Sequence, residues 1–361
     1  MKIHTLTIKN FRAIEELSID FTNNWSQPRP VTLIVGPNGS GKTSILDAIL
    51  MVVRTSENSN NPKLRDGLEF YPAQLVRGRG KNAEIEFEYS IEKDEANSIN
   101  TVFWYKKKPF PENELSIDFS VPPCGKPTRC IWKYPNPKYE NGGTQKPYSL
   151  SYFPKNSAKT LNARGVAAQE VAQNKFYSNI FENIGGVCYL DQRRSFRLNK
   201  KDLMFRNDNN SHDDVLSWVY EYYQRDIAWN KAKFGESYWK KIQRLFNKVC
   251  YPSQLIGPES GPDMITLILK KNNVEYDISQ MSSGEHQILR ILVGLAAETA
   301  VNSIVLLDEV ELHLHPAWQR KLIQVLRDDD SNNQYIFTTH SPFVKDLFFK
   351  DEIISLGQLE Q

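Results

Sequence analysis

Apolar and polar positions alternate from the first residues. Ile3, Leu6 and Ile8, then Leu17, Ile19 and Phe21, predict two strands of a hairpin or meander. Val31-Thr-Leu-Ile-Val35 is almost wholly apolar, as suits a strand buried on both faces. It runs through a glycine-rich turn into a helix predicted over 42–54. Residues 83–89 alternate strictly and make the clearest amphipathic strand. Beyond residue 92, short strand-like runs at 102–105 and 130–134 are interleaved with prolines. Over 213–249, Val215, Trp218, Val219 and Tyr222 recur at three- and four-residue spacing, the pattern of a helix packed on one side. From about 263, strand and helix alternate: a strand at 265–269, a helix from Ser282, a strand at 304–307, a helix from Pro316 and a strand at 335–338. That alternation implies a parallel or mixed sheet covered by helices. No heptad is sustained, so no long coiled coil is expected.

Composition changes this picture only locally. With 361 residues, 40% hydrophobic and 24% charged, the chain is neither disordered nor collagen-like. At about 150 residues per domain it holds two domains, or one domain with an insertion. The net charge of +2 argues against a uniformly basic nucleic-acid coat, yet it conceals a patch. Residues 101–165 carry 11 lysines and arginines against four acids, a charge of +7 that leaves −5 for the rest. The same stretch holds Phe103, Trp104, Tyr105, Trp132, Tyr134, Tyr139, Tyr152 and Phe153. These could stack bases beside a phosphate backbone, dock a protein, or form the core of a small β-subdomain with lysines reaching outward. Arg193, Arg194 and Arg197 are a second candidate basic face. Cys124, Cys130, Cys188 and Cys250 make no disulfide scaffold at this length, and no His or second Cys pair accompanies the first two. The N-terminus has no apolar signal region, and no run of about 18 apolar residues occurs. A soluble, cytoplasmic protein without membrane contact is the expectation.

Gly36-Pro-Asn-Gly-Ser-Gly-Lys-Thr43 matches G-x-x-x-x-G-K-[ST] between a buried strand and a helix, the context that gives this pattern meaning. Glycines let backbone N–H groups converge on phosphates at a helix N-terminus, where the helix dipole also favours an anion. Lys42 would reach the β- and γ-phosphates and Thr43 would take one position on Mg²⁺. Ile304-Val-Leu-Leu-Asp-Glu309 is an apolar strand ending in two acids. Asp308 at its tip would hold Mg²⁺ and Glu309 would polarise the attacking water.

These strings, with three more, resemble the ABC ATPases. Met281-Ser-Ser-Gly-Glu285 resembles their signature motif, Glu311-Leu-His-Leu-His-Pro316 the D-loop of the SMC-like branch, and Thr338-Thr-His-Ser-Pro342 the switch-histidine segment. Asn10-Phe-Arg12 resembles the opening of the RecF and SMC-type repair ATPases. The resemblance implies an α/β fold: an ABC ATPase head, a P-loop NTPase with a mixed sheet and flanking helices, carrying an irregular β/α insertion. It also implies a set of ATP-binding positions: Arg12, Gly36, Pro37, Asn38, Gly39, Ser40, Gly41, Lys42, Thr43, Ser44 and Gln192. Catalysis would fall to Lys42, Glu309 and His340, and metal binding to Thr43, Gln192 and Asp308. Ser282, Ser283, Gly284 and Glu285 would form the signature presented to another subunit, with Ser282 and Gly284 contacting the γ-phosphate of the ATP held there. Gln192 is the Q-loop candidate. His313 and His315 belong to the D-loop resemblance and would pack at a dimer interface. Ser283 and Glu285 depart from the commonest signature, Leu-Ser-Gly-Gly-Gln, and fit the SMC-like branch better than transporters.

The implied domain plan is an N-terminal lobe at 1–91, a basic aromatic insert and helical subdomain at 92–250, and a C-terminal lobe at 251–361. The implied cofactors are ATP and Mg²⁺. Short heads with an irregular insert look like ATPase subunits of bacterial anti-phage defence systems, among them Septu, retron-associated and TOPRIM-nuclease-paired ATPases. The corresponding expectation is a homodimer or higher oligomer, a switch that closes on ATP and controls a nuclease or toxin in trans, with DNA or RNA as a further candidate partner. A RecF-like DNA-binding protein of recombinational repair is the alternative. A non-catalytic assembly protein, in which ATP is only structural, is a third.

Overall fold

The computed structural model describes residues 1–57, 72–78, 81–107, 125–136, 147–158, 160–165, 183–190, 211–261, 265–297 and 301–357. Gln192, Arg193, Arg194, Arg197, Cys124 and Tyr139 lie outside the described residues.

Among the described residues, thirteen strands and six longer helices position the site. In chain order they are β1 (Lys2–Phe11), β2 (Ile14–Asp20), β3 (Val31–Val35), α1 (Lys42–Glu57), β4 (Ala83–Ser90), α2 (Lys93–Lys107), β5 (Thr128–Tyr134), β6 (Ser149–Phe153), β7 (Val187–Leu190), α3 (Ser211–Ile227), α4 (Tyr238–Cys250), β8 (Gln254–Ser260), β9 (Ile265–Lys271), β10 (Val274–Asp277), α5 (Ser283–Ala297), β11 (Ile304–Leu307), α6 (Pro316–Arg327), β12 (Gln334–Thr339) and β13 (Ile353–Ser355).

The central sheet has the order β13-β3-β12-β11-β7 and is parallel throughout. Its strands are apolar on both sides because each side feeds a different core. Val31, Leu33, Cys188, Leu190, Val305, Leu307, Tyr335 and Phe337 pack on one side with α3 to α6. Ile34, Val187, Ile304, Leu306 and Ile336 pack on the other with α1 and a second sheet. The period-two alternation of side chains along a strand produces this division. The second sheet is antiparallel, of order β2-β1-β4-β5-β6, and lays Leu6, Ile8, Phe87, Tyr89 and Trp132 over the same core. A third sheet, β10-β9-β8, packs Leu255 and Leu269 against the core that holds Trp239 and Phe246 of α4.

The span 92–250 is not a body apart. β5 and β6 extend the antiparallel sheet, β7 lies beside β11 in the parallel sheet, and α3 and α4 share the core of α5. The aromatic residues follow suit: Trp132 is fully buried and stacks on buried Tyr148, and Tyr152 bonds to Ser56 of α1 at 3.0 Å. Phe153 stays exposed beneath the Arg129 guanidinium, 4.9 Å away. One expectation is corrected. Residues 102–105 are not a strand but the end of α2, whose Ala96, Ile99 and Val102 bury a common face at helical spacing. The aromatic run looks strand-like only when read without the preceding turns. The helical stretch over 213–249 is interrupted between α3 and α4 around a short turn at Lys231–Phe234.

Candidate active site at the carboxyl edge of the sheet

Because β3, β7, β11 and β12 run parallel, the loops that follow them emerge at one edge, where open α/β sheets bind ligands. The loop after β3 is the glycine-rich turn. Gly39 and Gly41 take φ of 81° and 90°, and a Cβ on Gly36 would lie 2.4 Å from Ser40 Oγ. Only glycine permits that winding of the backbone. Lys42 opens α1, is nearly buried, and donates from Nζ to the carbonyls of Gly36 and Pro37 at 2.8 and 2.9 Å. The Ser40 hydroxyl is buried with no partner among the described residues. An anion in the loop would give that hydroxyl and the helix-start N–H groups their missing acceptor.

β11 delivers Asp308 and Glu309. Asp308 is buried and its carboxylate accepts from Thr338 Oγ1 at 2.6 Å, Thr43 Oγ1 at 3.0 Å and Tyr189 OH at 3.5 Å. Thr43 and Asp308 thus set two hard oxygen donors side by side, a donor set suited to Mg²⁺. Thr338, from β12, also accepts from the Glu309 backbone N–H at 2.8 Å. That bond holds Glu309 in a left-handed conformation, φ 48°, a costly backbone state for a non-glycine residue. The sequence alone does not single out Thr338 or Tyr189 as site residues. Thr338 is spelled out in the switch-histidine string, but its contact with Asp308 follows from the register of β11 on β12.

Arg12 sits at a β-turn with φ 50° and forms an ion pair with Asp47, which is buried on α1. Its guanidinium is therefore directed at the helix that begins with Lys42. Gln192 follows β7 by two residues and lies outside the described residues, although its neighbour Tyr189 touches Asp308. Pro37, Asn38 and Gly39 are exposed at the mouth of the loop, and Ser44 is buried beneath it.

The signature segment is built differently. Ser282 caps α5 in a reciprocal capping box: Ser282 N–H and Oγ both donate to Glu285 Oε2 at 2.8 Å, and Glu285 N–H returns a bond to Ser282 Oγ at 3.3 Å. Glu285 is buried and also accepts from Tyr276 OH of β10 at 2.7 Å. Burial opposes its charge, but the hydrogen bonds from Ser282 and Tyr276 among others outweigh it and hold the carboxyl below the ordinary glutamate value. Burial in turn pushes the Tyr276 phenol up to about 12, so it remains a donor. Gly284 is packed tightly, since a Cβ there would meet the Trp318 ring at 2.8 Å and the His313 carbonyl at 3.1 Å. Ser282 and Ser283 themselves face solvent.

The D-loop and switch segments meet. His340 donates from its backbone N to Glu311 Oε1 at 2.9 Å, and its Nδ1 lies 3.1 Å from the same oxygen. His315 caps α6, its Nδ1 accepting from Ala317 N–H at 3.2 Å. His313 is exposed in a left-handed turn, φ 60°. Among the described residues no group of three or more His, Cys, Asp or Glu side chains is arranged to hold a metal, and no helix is long and apolar enough to cross a membrane.

Two family models match in succession: an AAA ATPase domain over residues 1–115, and an AAA domain described as putative AbiEii toxin, Type IV TA system, over residues 176–346. The chain is 26% identical to the retron Ec83 probable ATPase of Escherichia coli, over 95% of this chain and 69% of that protein. It is 22% identical to the retron Vc95 probable ATPase of Vibrio cholerae serotype O1 biovar El Tor, over 100% of this chain and 74% of that protein. Among solved structures, an Smc head domain with an extended coiled coil, bound to the C-terminal domain of ScpA derived from Pyrococcus furiosus, superposes with a TM-score of 0.52 at 13% identity. That match covers 99% of this chain and 94% of that one.

Proposed function

We infer that this chain, an ATPase of the SMC-like ABC class, is the ATP-driven switch of an anti-phage defence system, whose copies close head to head on ATP and thereby control a separate nuclease or toxin. The observation that carries this reading is the unequal finish of its two half-sites. The phosphate loop, Asp308 and Thr338 form an enclosed network, whereas Ser282 and Ser283 are presented to solvent at the start of α5. A helix start with exposed serines is suited to an anion brought by another copy. The likeness to two retron ATPases, over 95% and 100% of this chain and 69% and 74% of theirs, supports the defence context.

In this reading Lys42 and the loop N–H groups bind the phosphates, and Ser282 and Ser283 of the opposing copy complete the enclosure of the γ-phosphoryl group. Thr43 and Asp308 would hold Mg²⁺, with Gln192 as a further ligand. When bound, the ion would supply neutralisation of phosphate charge. Glu309 orients and polarises the attacking water, and His340 stands at the same edge. Catalysis rests on positioning and on fixed charges aimed at the transferring group. Turnover is slow until closure, because half of the site arrives with the partner.

The test is molar mass in solution, with and without ATP and Mg²⁺, for wild type and Glu309→Gln. The expected result is an ATP-dependent doubling of mass that persists in Glu309→Gln, with hydrolysis lost. A mass indifferent to ATP in both proteins would contradict the reading. Co-purification with the product of the adjacent gene tests the effector. ATP-dependent binding to gapped DNA, steeply weakened by salt, would instead favour the RecF-like alternative.

A further inference from the structure

We propose that Glu311 is a positioning residue for ATP hydrolysis, holding the His340 imidazole with its proton on Nδ1 so that Nε2 is left as the acceptor. The proposal deepens the reading above and rests on His340 acting at the nucleotide edge.

Glu311 Oε1 is shared by two groups of one residue, the backbone N–H of His340 at 2.9 Å and the ring Nδ1 at 3.1 Å. The backbone group can only donate. An ionised carboxylate can only accept, so the ring nitrogen facing it carries the proton. The other nitrogen of the neutral ring then bears the lone pair, and its tautomer is set by the bond its partner makes. Glu311 is well placed to impose this. Its side chain is only 9% exposed against 47% for the histidine ring, so the carboxylate is the fixed member of the pair. The backbone around it is also pinned. Glu309 O accepts from Leu312 N–H at 3.0 Å, Glu311 O accepts from Leu314 N–H at 3.0 Å, and Gln319 Nε2 bonds to the same carbonyl at 3.3 Å.

Glu311 Oε2 is buried with no hydrogen-bond partner among the described residues. A carboxylate bonded to one ring nitrogen is a recurrent way of fixing the orientation and tautomer of an imidazole. Here it leaves Nε2 able to accept a hydrogen bond from the water that Glu309 polarises. Because Glu311 lies in the same turn as Glu309, the ring is oriented from the strand that carries the acids, and not only from its own strand.

The experiment is a double-mutant cycle of Glu311→Ala and His340→Ala on ATP turnover by the full chain, joined to a long-range ¹H–¹⁵N spectrum of the histidine rings. Each single variant is expected to lower kcat about tenfold or more while KM for ATP stays within about twofold. The double variant should be no slower than His340→Ala alone, since Glu311 acts through the ring. The wild-type His340 ring should carry its proton on Nδ1, and Glu311→Ala should release it to Nε2. Glu311→Gln, which keeps shape and an acceptor oxygen, should retain the tautomer and lose less activity, and it keeps the test available if the alanine variant fails to fold. Fully additive losses, or a wild-type ring protonated on Nε2, would overturn the proposal. Should wild type and His340→Ala hydrolyse ATP alike, the role of His340 falls, and the spectrum still decides whether Glu311 sets the ring.

Discussion

Around the phosphate loop, Lys42, Ser40, Ser44, Asp308 and Thr338 are almost fully enclosed, and Asp308 alone accepts from three hydroxyls. At the signature, the polar groups that matter face solvent, and the bonds of Ser282 go to Glu285 within its own helix start. Both regions set polar groups at a helix N-terminus, a position that favours an anion, with opposite degrees of enclosure. In the function proposed above, the enclosed half orients the nucleotide and the exposed half is completed by contact with another copy. The capping box has a consequence for that contact. Both donors of Ser282 are already committed to Glu285, so an incoming phosphate must compete with an internal carboxylate.

The largest expected effect breaks the enclosed half. Lys42→Ala removes the cation that meets the developing charge and should lower hydrolysis by about a hundredfold or more, with ATP affinity lost alongside. Retained ATP binding, measured by a fluorescent analogue, would show that the loop does not hold the phosphates. Next, Ser282→Arg should abolish ATP-dependent association and turnover while leaving ATP binding to the single chain intact. Equal loss of both would mean that the signature serves its own chain's nucleotide, and the contrast between the halves would disappear.

Thr338→Val sharpens the comparison from inside the enclosed half. It withdraws the bridge between Asp308 and the Glu309 backbone and should destabilise the fold by about 1–3 kcal/mol, the usual cost of stranding buried polar groups, with a clear loss of turnover. Thermal melts and steady-state rates check it. The smallest effect belongs to the exposed half. Glu285→Gln weakens the capping box at a cost of about 1 kcal/mol. Because the folded-state value of Glu285 is depressed, its contribution is present above the ordinary glutamate pKa of 4.5 and fades as pH falls through the lower folded value. The stability difference between wild type and Glu285→Gln should therefore be full at neutral pH and shrink in acid. A difference that grows on acidification would contradict the assignment.

Much of this molecule is readable from short strings. The loop at 36–43, the acids after β11 and the serines before α5 are each local, because their chemistry is carried by neighbouring residues on one turn or strand end. The alternation in β4 and the apolar runs of β3 and β11 are legible for a similar reason, since period and burial travel together. What escapes is set by register between distant segments. Tyr189 reaches Asp308 because β7 pairs with β11, and Thr338 reaches it because β12 pairs on the other side. Nothing in either residue's neighbourhood announces that contact. Trp132 and Tyr152 likewise complete a sheet begun near the N-terminus, so part of the basic, aromatic span is core, one of the three alternatives its composition allowed. Glu311 stands in a string quoted for its histidines, and only the turn at 309–314 shows which side chain it holds.

The most direct test of the composite site is to mix two inactive proteins, Lys42→Ala and Ser282→Arg, and measure ATP hydrolysis. A mixed pair holds one intact site, with the phosphate loop of the Ser282→Arg chain facing the signature of the Lys42→Ala chain. Turnover that appears on mixing, and that neither variant shows alone, is the predicted result. A mixture as inactive as its components, although the two chains associate, would contradict the account.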